Sequence, residues 1–511
     1  MKKESCSLSA HIIERTYNML LSDLLSKIEY TSCSGTADAE VTSVCRDSRQ
    51  AAEGSLFVCI RGTAVDGHDF ARSAYVKGAR VFLAEEKLDL PCDATVVIVP
   101  DTRVGLAEAS AEFYSHPEKE LKIVGITGTK GKTTTALTAY GVLNAAGIST
   151  GYIGSNGVRF ASYRYTTANT TPESCELYKY MRLMVSAGVK CLVMEVSSQA
   201  IYMGRIRGID FDVAVFTNLY LDHVGGVEHP TFEHYRDSKR RLFTEYGART
   251  IIYNADDAHA EYMIGGTDAE LIACSCESGH ADMKAKNIKV PGADGRLCVS
   301  FDIEFGNDHA HTSVAMPGRF SVYNALLTAA ICKSVGLSVF RTAKLLPTVS
   351  IDGRFEVIDA LPDATFVIDY AHNGASLSAA LTALREYKPK RLVCLFGSVG
   401  GRTFGRRREL GKVAAAMADL CIITSDNPDG ESPEKIIDEI AECFVTEGSC
   451  PHVRITDRRD AIRYAVKNAR VGDIILLAGK GHEDYQLVNG KKLPFSERAI
   501  ILEAAEELLE V

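Results

Sequence analysis

The sequence predicts an α/β protein of three domains, in which a central sheet carries a phosphate-binding loop and a C-terminal Rossmann-like α/β domain follows. Three observations predict it. The chain has 511 residues, well past the size at which one hydrophobic core stops growing. From about residue 121 onward, short β-branched runs alternate with amphipathic helical stretches, the pattern of βαβ units around a mostly parallel sheet. One of those strands runs directly into Gly128-Thr129-Lys130-Gly131-Lys132-Thr133-Thr134, a Gly-rich loop that opens a helix.

The elements fall into three blocks. Residues 1–120 form the first expected domain, with strands near 55–60, 80–83 and 95–99. Residues 121–350 form the second, with a strand at 122–126, the loop, a helix through Asn144, and strands at 190–196, 211–216 and 250–253. Residues 351–511 form the third, with strands at 365–368, 392–396, 420–424 and 473–477 and helices at 461–468 and 497–509. Between the last two, Ser350-Ile351-Asp352-Gly353-Arg354 reads as a hinge, and no internal repeat is visible.

Composition narrows the functional class. With 46% hydrophobic and 24% charged residues and no low-complexity tract, the chain is globular throughout. The net charge of −9 is spread along it, which argues against a general nucleic-acid binder. No apolar run approaches membrane-spanning length, and Met1-Lys2-Lys3-Glu4-Ser5-Cys6 is not followed by a signal-peptide core, so a cytoplasmic protein without membrane insertion is expected. The 15 cysteines are scattered, without a CxxC pair, and many sit in apolar runs such as Phe57-Val58-Cys59-Ile60. They read as buried, reduced thiols.

A strand, a Gly-rich loop and then Lys-Thr at a helix start place backbone N–H groups, the helix dipole and an ammonium around a nucleotide's phosphates. The GxxxxGK[ST] pattern is incomplete, because Ile126 fills the outer glycine position. Mg²⁺ favours a few oxygen ligands, and Thr133 is the first candidate. Glu195 is the second, since it ends the apolar run Cys191-Leu192-Val193-Met194 and ligands bind at the carboxyl ends of parallel strands. His223, after the 211–216 strand, opens onto the same edge. Lys239, in the basic run Lys239-Arg240-Arg241, reads on its residues alone as part of a solvated helix face.

Taken together these residues resemble the Mur ligases, ATP-dependent amide ligases of peptidoglycan precursor synthesis, and within them the branch that adds the third residue. The resemblance runs over nearly the whole chain. Asp47-Ser48-Arg49, Gly54-Ser55-Leu56-Phe57-Val58 and Asp66-Gly67-His68-Asp69-Phe70 look like the family's uridine-nucleotide domain. Asn169-Thr170-Thr171-Pro172, Glu195-Val196-Ser197-Ser198, Asp222-His223 and Tyr235-Arg236-Asp237-Ser238-Lys239 match its centre. Gly353-Arg354, Asp369-Tyr370-Ala371-His372, Asp426-Asn427-Pro428 and Gly479-Lys480-Gly481-His482-Glu483 match its last third.

The resemblance implies ATP and Mg²⁺ as cofactors, and UDP-MurNAc-L-Ala-D-Glu and a diamino acid as partners, in a monomeric enzyme. It gives Lys132, Glu195, His223 and Lys239 catalytic roles, with Thr133, Glu195, His223 and Lys239 around metal and Lys239 carbamylated. Gly128 to Thr134, Asn324, Arg354, Asp369 and His372 would surround ATP. Ser48, Thr170, Thr171, Ser197 and Arg205 would contact the UDP-muramoyl-dipeptide. Arg402, Asp426, Asn427, Asp429, Gly479 and Glu483 would form the amino-acid pocket.

Diaminopimelate-adding members usually carry Asp-Asn-Pro-Arg, whose arginine grips the substrate's distal carboxylate as a bidentate fork. Here the fourth position is Asp429, which repels a carboxylate and suits an ammonium, so L-lysine is expected and ornithine fits the same logic. Lys130 for asparagine, Gln199 for histidine and Glu228-His229-Pro230-Thr231-Phe232 point the same way by resemblance. In Gly400-Gly401-Arg402-Thr403-Phe404-Gly405-Arg406-Arg407 the basic residues either read a substrate carboxylate, with Arg402 the candidate, or form a solvated loop. The competing readings are folylpolyglutamate synthetase, which lacks a uridine-nucleotide module, and a regulatory protein that kept the fold but lost catalysis.

Overall fold

The computed structural model describes residues 17–62, 65–221, 225, 228–277, 279–290, 297–401, 404–446 and 450–510. Backbone contacts divide the chain into two units, Met1–Met283 with Leu326–Thr342, and Lys284–Ala325 with Ala343–Val511.

The first unit contains the two-stranded pair of Met19–Leu20 with Glu40–Val41 and two larger sheets. The N-terminal one runs in the spatial order Ser32–Ser34, Thr95–Ile98, Val81–Ala84, Ser55–Val58, Ser43–Cys45. Its last four strands are mutually parallel. Every residue of Ser55–Val58 is buried, as a near-continuous apolar run requires when a parallel strand is covered on both faces. The helix Thr102–Phe113 starts where the Asp101 carboxylate accepts the N–H groups of Arg103 and Val104.

The central sheet follows the order Tyr163–Tyr165, Gly157–Phe160, Thr150–Gly154, Cys191–Glu195, Lys122–Thr127, Phe211–Phe216, Ala248–Asn254, Glu270–Ser275. The last six are parallel, and the first two fold back as an antiparallel hairpin on Thr150–Gly154. Register pairs Glu195 with Ile126 and Phe216 with Thr127. The carboxyl ends of three neighbouring strands therefore finish level, with the glycine loop on the middle one.

In the second unit a six-stranded sheet is ordered Glu356–Leu361, Ala364–Asp369, Asp473–Ala478, Arg391–Phe396, Leu420–Ile423, His452–Arg454. All are parallel except the first. The strand Asp473–Ala478, the last of this sheet in chain order, lies between two earlier ones, so the topology reverses there and leaves a crevice at the carboxyl edge. The unit also carries the hairpin of Val299–Phe305 and Asp308–Val314.

The α/β class and three-domain layout expected from the sequence are present. The helix Glu497–Leu509 has the expected bounds. Most described cysteines are buried and all are free thiols, with Cys33 and Cys92 exposed. Burial pushes the thiols of Cys59 and Cys191 up to about 12, which leaves them protonated and unreactive. No helix among the described residues is long and apolar enough to cross a membrane.

Candidate active site: a phosphate loop beside a buried glutamate and lysine

The glycine loop is shaped from below by the segment after Phe211–Phe216. Asn218 accepts the N–H of Thr129 through its carbonyl at 2.8 Å and that of Lys130 through its side-chain oxygen at 2.9 Å. The Thr217 hydroxyl donates to the Lys130 carbonyl at 2.7 Å. Gly128 sits at φ +145°, and a Cβ there would lie 1.9 Å from Thr217 Oγ1, so the chain passes only without a side chain. Gly131, at φ 84°, caps the helix Lys132–Ala145. Thr133 and Thr134 occupy its first turn.

Glu195 is fully buried. Its Oε2 accepts the Thr133 hydroxyl at 2.9 Å, and its Oε1 accepts the Tyr152 hydroxyl at 2.7 Å and the Ser155 N–H at 2.9 Å. With the Ser155 hydroxyl at 3.4 Å from Oε2, four donors compensate the buried carboxylate. Burial, and then the neighbouring Glu195 charge, raise the Tyr152 phenol well above its ordinary range. Gly154 completes the pocket, because a Cβ there would lie 2.2 Å from Glu195 Oε1.

Lys239 is not on a solvated face, as its basic run suggested. It is 1% exposed, on the helix Phe232–Thr244, and its Nζ donates to the Gly128 carbonyl at 2.9 Å while lying 4.6 Å from the Tyr235 ring centroid. The helix turns Tyr235, Ser238, Lys239, Leu242 and Phe243 inward at helical spacing, and this amphipathic phase outranks the local run of charge. Lys132 Nζ reaches the same carbonyl at 2.8 Å and that of Thr129 at 3.1 Å.

Thr171 is buried, donates its hydroxyl to the Glu195 carbonyl at 2.9 Å and accepts the Ser197 N–H at 3.1 Å. Arg205 pairs with Glu173 at 2.9 Å and donates to the Thr171 carbonyl at 3.3 Å. Burial lowers its guanidinium's pKa, opposed by Glu173. Thr170 Oγ1 lies 3.0 Å from Ser155 Oγ. Thr170, Thr171, Ser197 and Arg205 thus gather around the end of the Glu195 strand. Ser48 is buried in the N-terminal domain beside Asp47, whose carboxylate Arg49 holds down at about 2.

In the second unit, the carboxyl edge gathers two groups. Asp369 accepts the Phe355 N–H at 2.9 Å, Arg354 stacks 4.8 Å over the Tyr370 ring, and His372 Nδ1 lies 2.9 Å from the Tyr370 carbonyl oxygen. Burial raises the Asp369 carboxyl, against the pull of Arg354. Asn324 is buried on the helix Phe320–Ser334. The second group centres on Lys480, which is 0% exposed. Its Nζ donates to Asn427 Oδ1 at 3.0 Å and Glu483 Oε2 at 3.2 Å, and lies 3.6 Å from Asp426. Asn427 donates to Glu483 at 2.8 Å, and the Gly479 N–H donates to the Asp369 carbonyl. Asp429 accepts the Gly490 N–H at 2.7 Å from φ 50°, a conformation aspartate tolerates.

His223 and Arg402 lie outside the described residues. The neighbouring Arg407 is neither in a solvated loop nor a carboxylate reader: it is buried and bonded to Glu431 at 3.0 Å and Glu439 at 2.7 Å. The sequence reading passed over Asn218, Tyr152 and Lys480. Asn218 was within reach, since it follows a recognised strand onto the same edge; Tyr152 was not, because its strand went unpredicted.

Three family descriptions match the chain: the Mur ligase family catalytic domain over residues 40–114, the Mur ligase middle domain over 126–332, and the Mur ligase glutamate ligase domain over 353–481. Curated relatives named UDP-N-acetylmuramoyl-L-alanyl-D-glutamate--2,6-diaminopimelate ligase include one from Bacillus licheniformis, 37% identical over 499 residues and covering 96% of this chain and 100% of that protein. Another, from Geobacillus kaustophilus, is 38% identical over 478 residues, covering 92% and 95%. A solved structure of a ligase with that name superimposes with a TM-score of 0.69 at 26% identity, covering 97% of this chain and 100% of the other. A structure of UDP-N-acetylmuramoylalanyl-D-glutamyl-2,6-diaminopimelate--D-alanyl-D-alanyl ligase from Acinetobacter baumannii shares the fold, with a TM-score of 0.62 at 17% identity over 98% and 100% of the two chains. The chain belongs to the Mur ligase family and is an ATP-dependent ligase.

Proposed function

We propose that this ligase joins a diamino acid, L-lysine, to UDP-MurNAc-L-Ala-D-Glu through an acyl phosphate formed from ATP. The observation that carries the reading is the convergence of Thr133, Glu195 and Lys239 on one phosphate loop, all three buried.

A carboxylate is a poor acyl donor, so its oxygen first attacks the γ-phosphate of ATP. Lys132 and the N–H groups at the start of the helix Lys132–Ala145 hold the phosphates in line and neutralise charge on the transferred phosphoryl. Thr171, Ser197 and Arg205 orient the dipeptide, with Ser48 and Thr170 as further contacts. The amine of the incoming amino acid then attacks the activated carbonyl. Phosphate leaves and an amide remains. Arg354, Asp369, His372 and Asn324 serve the nucleotide, and exclusion of water protects the acyl phosphate meanwhile.

The paired oxygens of Thr133 and Glu195 fit Mg²⁺, which takes oxygen ligands. Held there, with His223, it would draw charge from the phosphates. Lys239 is read as carbamylated: its ammonium gives up one proton, the neutral amine nitrogen bonds the carbon of CO₂ and loses a second proton, and a cation becomes an anion.

Asn427, Asp429, Gly479 and Glu483 are read as the amino-acid pocket, with Asp426, and Arg402 is a further candidate for it. Asp429 stands where a distal ammonium is welcome and a distal carboxylate is not. The relatives' names favour a second reading, meso-diaminopimelate. A panel of lysine, ornithine and diaminopimelate with ATP, Mg²⁺ and UDP-MurNAc-L-Ala-D-Glu, weighed by mass spectrometry, separates them. Lysine is expected to be converted fastest. Preference for diaminopimelate sinks the lysine reading, and ATP turnover without the dipeptide sinks the ligase reading.

A further inference from the structure

Beside the site lies a buried hydrogen-bonded chain to which the proposed reaction gives no role. His229 is 0% exposed. Its Nε2 lies 2.9 Å from Ser198 Oγ and its Nδ1 lies 2.8 Å from His234 Nδ1. Two facing Nδ1 atoms share one proton: one ring donates and the other accepts. Both placements of that proton satisfy the serine, which donates to Nε2 in one and accepts from it in the other.

The two ends of the chain sit on different helices. Ser198 opens the short helix Ser198–Tyr202, directly after Ser197, whose hydroxyl caps it by accepting the Ala200 N–H. The Arg205 N–H donates to the Ala200 carbonyl, so the arginine's backbone hangs from the same turn. His234 lies on the helix Phe232–Thr244, which also carries Tyr235, bonded to Thr129, and Lys239, bonded to Gly128. Tyr202 and Tyr235 pack their rings against His234 and His229 at 4.8 and 5.2 Å.

We propose that His229 is a positioning residue that holds Ser197 and Arg205 in place relative to the helix bearing Lys239. Its functional consequence rests on the reading that Ser197 and Arg205 contact the UDP-muramoyl-dipeptide. A short helix of five residues has little stability of its own. With His229 removed, the Ser198 hydroxyl is left buried without its partner and the turn loosens.

The test compares His229→Leu, His229→Gln and Ser198→Ala in the full chain. His229→Leu is expected to speed amide hydrogen exchange across residues 198–205 while strand 191–195 stays protected. It should also raise KM for UDP-MurNAc-L-Ala-D-Glu roughly tenfold and leave KM for ATP where it was. His229→Gln keeps a donor toward Ser198 and should recover most of both effects. Ser198→Ala should reproduce them without disturbing the histidines, and should add nothing to His229→Leu. Unchanged exchange, equal rises in both KM values, or additive losses overturn the proposal. If the wild type ignores this dipeptide, the functional reading fails, and the exchange data still decide whether His229 positions the turn.

Discussion

Replacing Gly154 with alanine tests the site through a single methyl group. The new carbon would lie 2.2 Å from Glu195 Oε1, 2.3 Å from the Tyr152 hydroxyl oxygen and 2.6 Å from Tyr152 Cζ. Contact at van der Waals distance needs roughly 3.5 Å, so the Glu195 carboxylate and the Tyr152 phenol must both retreat by about 1 Å. Tyr152 is fully buried, so its ring can shift only by straining its neighbours. The Glu195 carboxylate is displaced with it, and its 2.9 Å contact with Thr133 is disturbed. Overpacking of this kind costs about 1–3 kcal/mol of stability, while a 1 Å displacement of a catalytic group costs about 10²-fold in rate. Steady-state turnover with saturating substrates, alongside thermal denaturation, should show kcat falling about a hundredfold with a modest loss of thermal midpoint. Gly147→Ala is the control: it sits at φ 85° with nothing within 4 Å, so it should lose about 1 kcal/mol and keep its kcat. Wild-type kcat in Gly154→Ala would show that the Glu195–Thr133 contact is not what the reaction needs.

Other substitutions probe the remaining features. Lys480→Met removes the ammonium between Asp426, Asn427 and Glu483 and should cost about 3–5 kcal/mol while raising KM for the amino acid more than KM for ATP; equal changes in both would argue against a pocket role. Lys239→Ala should abolish turnover, with partial recovery in a short carboxylic acid that replaces the carbamate; full activity without rescue would refute that role. Asp429→Arg should shift preference toward diaminopimelate in the same mass-spectrometric panel, because a guanidinium replaces a repelling carboxylate. Arg407 holds Glu431 below the usual carboxylate range, from 4.5 to about 2. The folded pKa is depressed, so this contact stabilises the fold above pH 4.5 and the benefit fades as pH falls toward 2. Urea midpoints of wild type and Glu431→Gln should converge through that window, and a constant gap would refute the assignment.

The buried parallel strands were legible because their apolar runs are continuous and end in chemistry. Phe211–Phe216 has the bounds expected, and Lys122–Thr127 ends within a residue of expectation. The strands that escaped notice carry the wrong signal for their place. Tyr163–Tyr165 and Gly157–Phe160 form an edge hairpin of three and four residues, too short for alternation to declare itself. Asp308–Val314 reads as polar because His309 and His311 face outward. At the site, motif order led to Thr133 and Glu195, whose 2.9 Å contact spans 62 positions of chain. Lys239 misled on its residues alone because charge density is a local property and burial is not. Only helical phase, read together with Tyr235 and Leu242, would have turned it inward.

Two ammonium groups, those of Lys132 and Lys239, share the carbonyl oxygen of Gly128. That oxygen is a fulcrum. While both amines are cationic they repel each other across it, and at that oxygen the loop offers positive charge alone. The proposed carbamylation of Lys239 would change the local formal charge by two and turn the repulsion into attraction. The same loop would then have both signs to offer, one for the phosphates and one for a cation that accompanies them. On that proposal dissolved carbon dioxide would act in effect as an assembly factor, setting through one lysine what the site can bind.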